Sequence, residues 1–127
     1  MSLPRPKRQI PICLGGFSEA AFDRAARIGD GFLFSGRTQS EAVPIKARIE
    51  AKLHELGRDV DAFGLESIQQ YSRGDKQWPG DIAAWREAGG SHISLVTMGG
   101  KLTAVDDHIE AITRWRDVYN SVVRASQ

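Results

Sequence analysis

The chain has 127 residues, 41% of them hydrophobic, and its 17 Lys and Arg nearly balance 16 Asp and Glu, for a formal net charge of +1. That length supports one domain with its own core, and nothing in that charge points to a nucleic-acid or anionic-membrane partner. No apolar run approaches the ~20 residues that span a bilayer, residues 1–9 lack a signal peptide's apolar core, and the single Cys13 permits no intrachain disulfide and no cysteine metal site, so a cytoplasmic protein is expected.

Residues 1–9 read as an extended leader, because Pro4 and Pro6 oppose helix and strand pairing. Residues 10–127 read as one domain. Its first strand is expected at residues 10–14. Cys13 inside that strand reads as a small core residue rather than a nucleophile, since nothing basic lies beside it in sequence. Gly15 and Gly16 then form a tight turn, and Ser18 is placed to cap the following helix. Phe17 and Phe22 stand where a hydrophobic staple would sit, and Glu19 suits the first turn of a helix. Gly29 follows the helix end.

The second strand is expected at residues 31–35, followed by Ser35, Gly36, Arg37 and Thr38. The turn at Gly15–Gly16 admits two readings. It is a plain strand-to-helix turn, or it is a place where glycine lets backbone approach an anion at a helix start. In the second reading Arg37 is a further anion contact, because a guanidinium matches phosphate oxygens.

A second helix is expected from an N-cap at Ser40 to Leu56, with Ala42, Ile45, Ile49, Leu53 and Leu56 on one face and Pro44 in its first turn. Gly57 closes it. A third strand is expected at residues 64–70, where Glu66 and Gln69 point either toward a ligand or into solvent. A polar loop covers residues 71–80. The third helix is expected at residues 81–88, capped by Asp81, with Ile82 and Trp85 inward and Gly89–Gly90 as its stop. The fourth strand is expected at residues 91–97, with His92 a rim or packed residue. A second glycine turn at Met98–Leu102 precedes the last helix, where Thr103 and Asp106 have capping-box spacing. Val105, Ile109, Ile112, Trp115, Tyr119 and Val122 make that helix's apolar stripe, which predicts a buried Trp115.

Ile10-Pro11-Ile12-Cys13-Leu14-Gly15-Gly16-Phe17-Ser18-Glu19-Ala20-Ala21 and the later Arg24-Ala25-Ala26-Arg27-Ile28-Gly29-Asp30-Gly31-Phe32 resemble the luciferase-like monooxygenase superfamily, in its branch that uses flavin or the deazaflavin F420. The blocks Ser91-His92-Ile93-Ser94-Leu95-Val96-Thr97-Met98-Gly99 and Leu102-Thr103-Ala104-Val105-Asp106-Asp107-His108-Ile109 agree with it. The likeness runs from Pro4 onward but is to the C-terminal half of those enzymes. It implies four consecutive βα units forming half of a (β/α)8 barrel of bacterial-luciferase type. It also implies that this half holds the phosphate of FMN or F420. The implied cofactor-binding residues are Gly15, Gly16, Phe17 and Ser18 with Ser35, Gly36 and Arg37. Many residues that meet the cofactor ring and the substrate belong to an N-terminal half not in this sequence, so catalytic residues stay unassigned.

Alternating strands and helices with short turns imply a parallel sheet with right-handed crossovers. A half barrel carries helices on one side only, so its concave face is expected to be apolar and its edge strands unpaired. The chain is therefore expected to form a homodimer or larger oligomer. Two functions follow: the cofactor half of a flavin- or F420-dependent oxidoreductase, or a non-catalytic, self-associating half barrel that binds a phosphorylated ligand or nothing.

Overall fold

The computed structural model describes residues 4–35 and 37–127. Four strands alternate with four α-helices: β1 Cys13–Gly15, α1 Glu19–Ile28, β2 Gly31–Phe34, α2 Gln39–Glu55, β3 Gly64–Gln70, α3 Trp78–Glu87, β4 His92–Val96 and α4 Val105–Ala125. The sheet is wholly parallel in the order β1-β2-β3-β4, with each strand beside its sequence neighbour. The protein is thus α/β, built from four βα units in a row.

Register sorts the side chains into two faces, because residues paired across parallel strands point the same way. Leu14, Phe32 and Leu65 form one row, and Phe34, Ser67 and Ile93 the next. This face meets the helices. Phe32 and Phe34 are fully buried against Phe22, Ala25 and Ala26 of α1, Ile49 and Leu53 of α2, and Trp85 of α3. Phe22, Phe32, Phe34 and Trp85 stack edge to face in sequence, with centroids 5.5, 4.9 and 5.4 Å apart. Offset and edge-on contacts of this kind add to plain area burial.

Residues of the other parity face away from the helices: Gly15, Leu33, Glu66 and His92 make one row, and Ile68 and Ser94 the next. Ser94 donates to Glu66 at 2.9 Å. The expectation of an apolar open face is therefore corrected. Leu33, Ile68 and Val96 alternate with glycine and polar residues, so this face does not by itself demand burial. Exposed apolar side chains include Ile10, Ile12 and Ile28 at one margin and Val105, Ile109 and Ile112 at the other, with Phe17, Val43, Leu56 and Met98 elsewhere.

Local signals were mostly placed within a few residues. Ser18 caps α1 and accepts from the Ala21 N–H. The staple does not form: Phe22 enters the core while Phe17 stays 74% exposed. The cap of α2 is Thr38, not Ser40, in a reciprocal box with Glu41, whose carboxylate is held below its ordinary range by the Thr38 backbone N–H and then its hydroxyl. Pro44 consequently sits in the second turn of α2, not the first. A 3-10 turn, Tyr71–Arg73, occupies part of the expected polar loop, and α3 begins at Trp78, before Asp81. Asp81 instead accepts a hydrogen bond at 2.9 Å from the buried Gln69, settling that side chain on the helix face. The cap of α4 is shifted by one position: Asp107, not Asp106, accepts from the Ala104 N–H at 3.0 Å.

The stripe on α4 is real but only half covered. Ala111 is its one buried residue, and Trp115 is half-buried, stacked on Tyr119 at 5.6 Å. Trp115→Ala is therefore expected to cost ~1–2 kcal/mol in urea denaturation, below the ~3–5 kcal/mol of a fully buried tryptophan. A loss at the upper figure would mean that the free chain covers this face. Among the described residues no helix is long and apolar enough to cross a membrane.

Candidate functional site

The C-terminal ends of β1 and β2 lie side by side, because Gly15 pairs with Leu33. Gly15 closes β1, Gly16 and Phe17 turn the chain, and Ser18 starts α1. Ser35 is exposed directly after β2. Gly36, also expected at the site, lies outside the described residues. Arg37 returns across the gap: its Nη2 donates to the Gly16 carbonyl at 2.9 Å, and its guanidinium lies 4.3 Å from the centroid of the Phe17 ring. Residues 21 positions apart in sequence are thereby brought together at the head of α1.

Two features of this corner bear on charge. The Nη1 atom of Arg37 is buried and has no hydrogen-bond partner. A buried donor without a partner costs free energy that an anion would recover. Second, Glu19, the acid in the first turn of α1, is drawn toward α2, where it pairs with Arg48 and lies 3.8 Å from Lys52. The positive end of the α1 dipole thus keeps a side open to an outside anion.

A different concavity of about 580 Å³ lies on the open face toward the N-terminal strand ends, lined in part by Cys13, Asp30, Glu66 and His92. Sequence reading missed Asp30 here. Its carboxylate accepts from the Ile12 N–H at 2.9 Å, while its own N–H donates to the Ile12 carbonyl at 2.8 Å. Its place between Gly29 and Gly31 was the available signal. Cys13 is exposed rather than in the core. Its thiol is pushed above its ordinary value, first by partial burial and then by the Glu66 and Asp30 carboxylates, so it stays protonated at neutral pH and is a poor nucleophile. His92 is an exposed rim residue whose Nδ1 is 2.8 Å from the Ser91 hydroxyl. Among the described residues no group of His, Cys, Asp and Glu is placed to hold a metal ion.

His108 and Thr97 are joined at 2.8 Å, which ties the head of α4 to the end of β4. The turn between them contains exposed Lys101, in a left-handed conformation with φ 59°. No protein-family model matches the chain, and no curated protein matches it.

Proposed function

We propose that the chain is the phosphate-holding half of a flavin- or F420-dependent oxidoreductase of luciferase-like type, with its four βα units as half of a (β/α)8 barrel. The order of the strands and the placement of the buried helices on one face support the architecture, since a barrel segment is wound in one direction. Barrel enzymes place their sites at the C-terminal strand ends, which is where the glycine turn lies. The single observation that carries the phosphate role is Arg37, folded over Gly16 and Phe17 with a buried Nη1 donor unspent.

In this reading the N–H groups at the head of α1 and the Arg37 guanidinium hold the phosphate of FMN or F420. Ser18 accepts the Ala21 N–H as the cap of α1, and its own O–H is left to donate to the phosphate. The bound cofactor supplies the redox chemistry, hydride transfer for F420 or oxygen chemistry for reduced FMN. This chain contributes binding and orientation, and the substrate and most ring contacts fall to the other half of the barrel.

Calorimetry with FMN, F420 and inorganic phosphate tests the role. Arg37→Ala is expected to weaken binding about 10- to 100-fold, the equivalent of a charged hydrogen bond of ~1.5–3 kcal/mol. Arg37→Lys should recover only part of it, because an ammonium lacks the second arm of the fork. A melting curve on each variant separates lost binding from a loosened turn, since Arg37 also anchors Gly16. Wild-type protein that binds none of the three at millimolar concentration would end the phosphate reading.

A further inference from the structure

The chain exposes 8647 Å². A compact monomer of its 14.0 kDa mass exposes about 6,700 Å². Part of the surplus is the leader, exposed from Pro4 through Ile12. Exposed apolar side chains beside the two edge strands, at Ile28 and at Val105, Ile109 and Ile112, contribute to the rest. A stable interface removes about 800 Å² per partner, so a surplus of this size is on the scale that association consumes.

The two ends match. β1 and β4 are both edge strands, each pairing on one side only. Beside β4, α4 turns Arg114 toward α3, where its guanidinium pairs with Asp75 and lies over Trp78. Val105 is nine positions earlier, two and a half turns, and so lies on the opposite side of the helix. Val105, Ile109 and Ile112 share that side and are 74, 56 and 50% exposed. Beside β1, α1 turns Glu19 toward α2, and Ile28, again nine positions away, lies on the far side at 70% exposure. Arg24 stands one turn before Ile28 on α1 and Asp106 stands beside Val105 on α4, and neither has an ion pair among the described residues.

We propose that a second copy of this chain docks edge to edge, β4 of each against β1 of the other, closing eight parallel strands about a two-fold axis that runs along the barrel. Such an axis preserves strand direction, so the new pairs are parallel like the existing ones. It lays the apolar side of α4 against Ile28 of the second copy's α1. Every strand end in the closed ring faces the same way. The Met98–Leu102 turn of one copy then stands beside the Gly15–Ser18 turn of the other. Lys101 of the second copy is thereby delivered to the phosphate site, which a single chain leaves open on that side. This last assignment rests on the phosphate reading above; the closure itself does not.

Light scattering on the purified chain at micromolar concentration should give twice the 14.0 kDa chain mass. Ile109→Asp and Ile28→Asp lie on opposite edges, and each should raise the dissociation constant at least about tenfold. Both residues are exposed in the single chain, so the circular dichroism of each variant should match wild type. A single-chain mass, or a dimer indifferent to both substitutions, overturns the closure and leaves the edges to a different polypeptide. Lys101 is tested by mixing. Lys101→Ala and Arg37→Ala should each bind FMN and inorganic phosphate weakly, and the mixed dimer should regain one intact site. A dimer whose mixture regains nothing overturns the Lys101 assignment alone. A dimer that binds neither probe before any substitution refutes the phosphate reading while the closure stands. A monomer that binds FMN does the reverse.

Discussion

Trp85→Ala is expected to remove ~3–5 kcal/mol of stability, a large share of the ~5–15 kcal/mol that holds a typical domain together. Three losses combine at this residue. Its ring is 1% exposed and stands edge-on to Phe34 at 5.4 Å, at the end of the aromatic series that joins α1, β2 and α3. Its Nε1 donates to the His92 carbonyl at 2.8 Å, so truncation strands an acceptor at the start of β4. Gly90 runs directly against the indole and has no side chain of its own to fill the space. Trp85→Phe keeps most of the ring and loses the hydrogen bond, so it should cost about 1–2 kcal/mol. Urea denaturation at fixed protein concentration measures both, because association would otherwise shift the apparent stability. Equal costs for the two variants would show that the hydrogen bond, not the packing, holds α3 to the sheet.

That Trp85 faces inward was legible from sequence. It follows Ile82 by three positions, and glycines mark the helix end just beyond. The same period found Ile49 and Leu53 in α2, both fully buried. The third strand was placed at its observed bounds despite four polar residues, because glycine and the break at Tyr71 bracket it. Boundaries failed where two chemically equivalent caps competed. Thr38 and Ser40 both suit the head of α2, and only Thr38 stands three positions before Glu41. At the head of α4 the spacing of Thr103 and Asp106 was read as the box, whereas Asp107 accepts from Ala104, one position on.

The faces of the sheet were harder to read. Periodicity says which residues share a face, but not which face meets the helices. Glu66 and Gln69 differ in parity, and the structure sends them opposite ways: Glu66 to Ser94 on the open side, Gln69 to Asp81 beneath α3. Both looked equally polar in sequence. The stripe on α4 posed the converse problem. Helical spacing identifies an apolar side regardless of what covers it, and here half of that side, at Val105, Ile109 and Ile112, is exposed. The approach of Arg37 to Gly16 depends on where the β2–α2 connection turns, which local sequence does not encode. The nearness of Arg37 to the glycine turn followed from adjacent parallel strands, whereas its contact with Phe17 did not.

Gly16→Val is expected to be the most damaging substitution at the site, and to act on folding before binding. Gly16 has φ 149°, a conformation that side-chain-bearing residues rarely adopt. A Cβ there would also lie 2.5 Å from the Ala21 methyl in the first turns of α1. Strain of ~1–3 kcal/mol from the backbone and a similar cost from overpacking should combine to exceed ~3 kcal/mol, with valine's branch adding to both. Gly16→Ala isolates the two terms when paired with Ala21→Gly. The second change removes the opposing methyl at a cost of ~1 kcal/mol for glycine inside a helix. In that background Gly16→Ala should lose only its backbone term, so the cycle should show a coupling of about 1–2 kcal/mol. Strict additivity would mean that the turn shifts to admit the methyl, and that the approach to Ala21 is not what requires glycine. Gly16 is therefore a poor probe of anion binding, since a variant that fails to bind will also have lost its turn. Arg37 is the sharper probe, because replacing it adds no strain to the turn, and its Nη2 bond to the Gly16 carbonyl is accounted for by the melting curve of each variant.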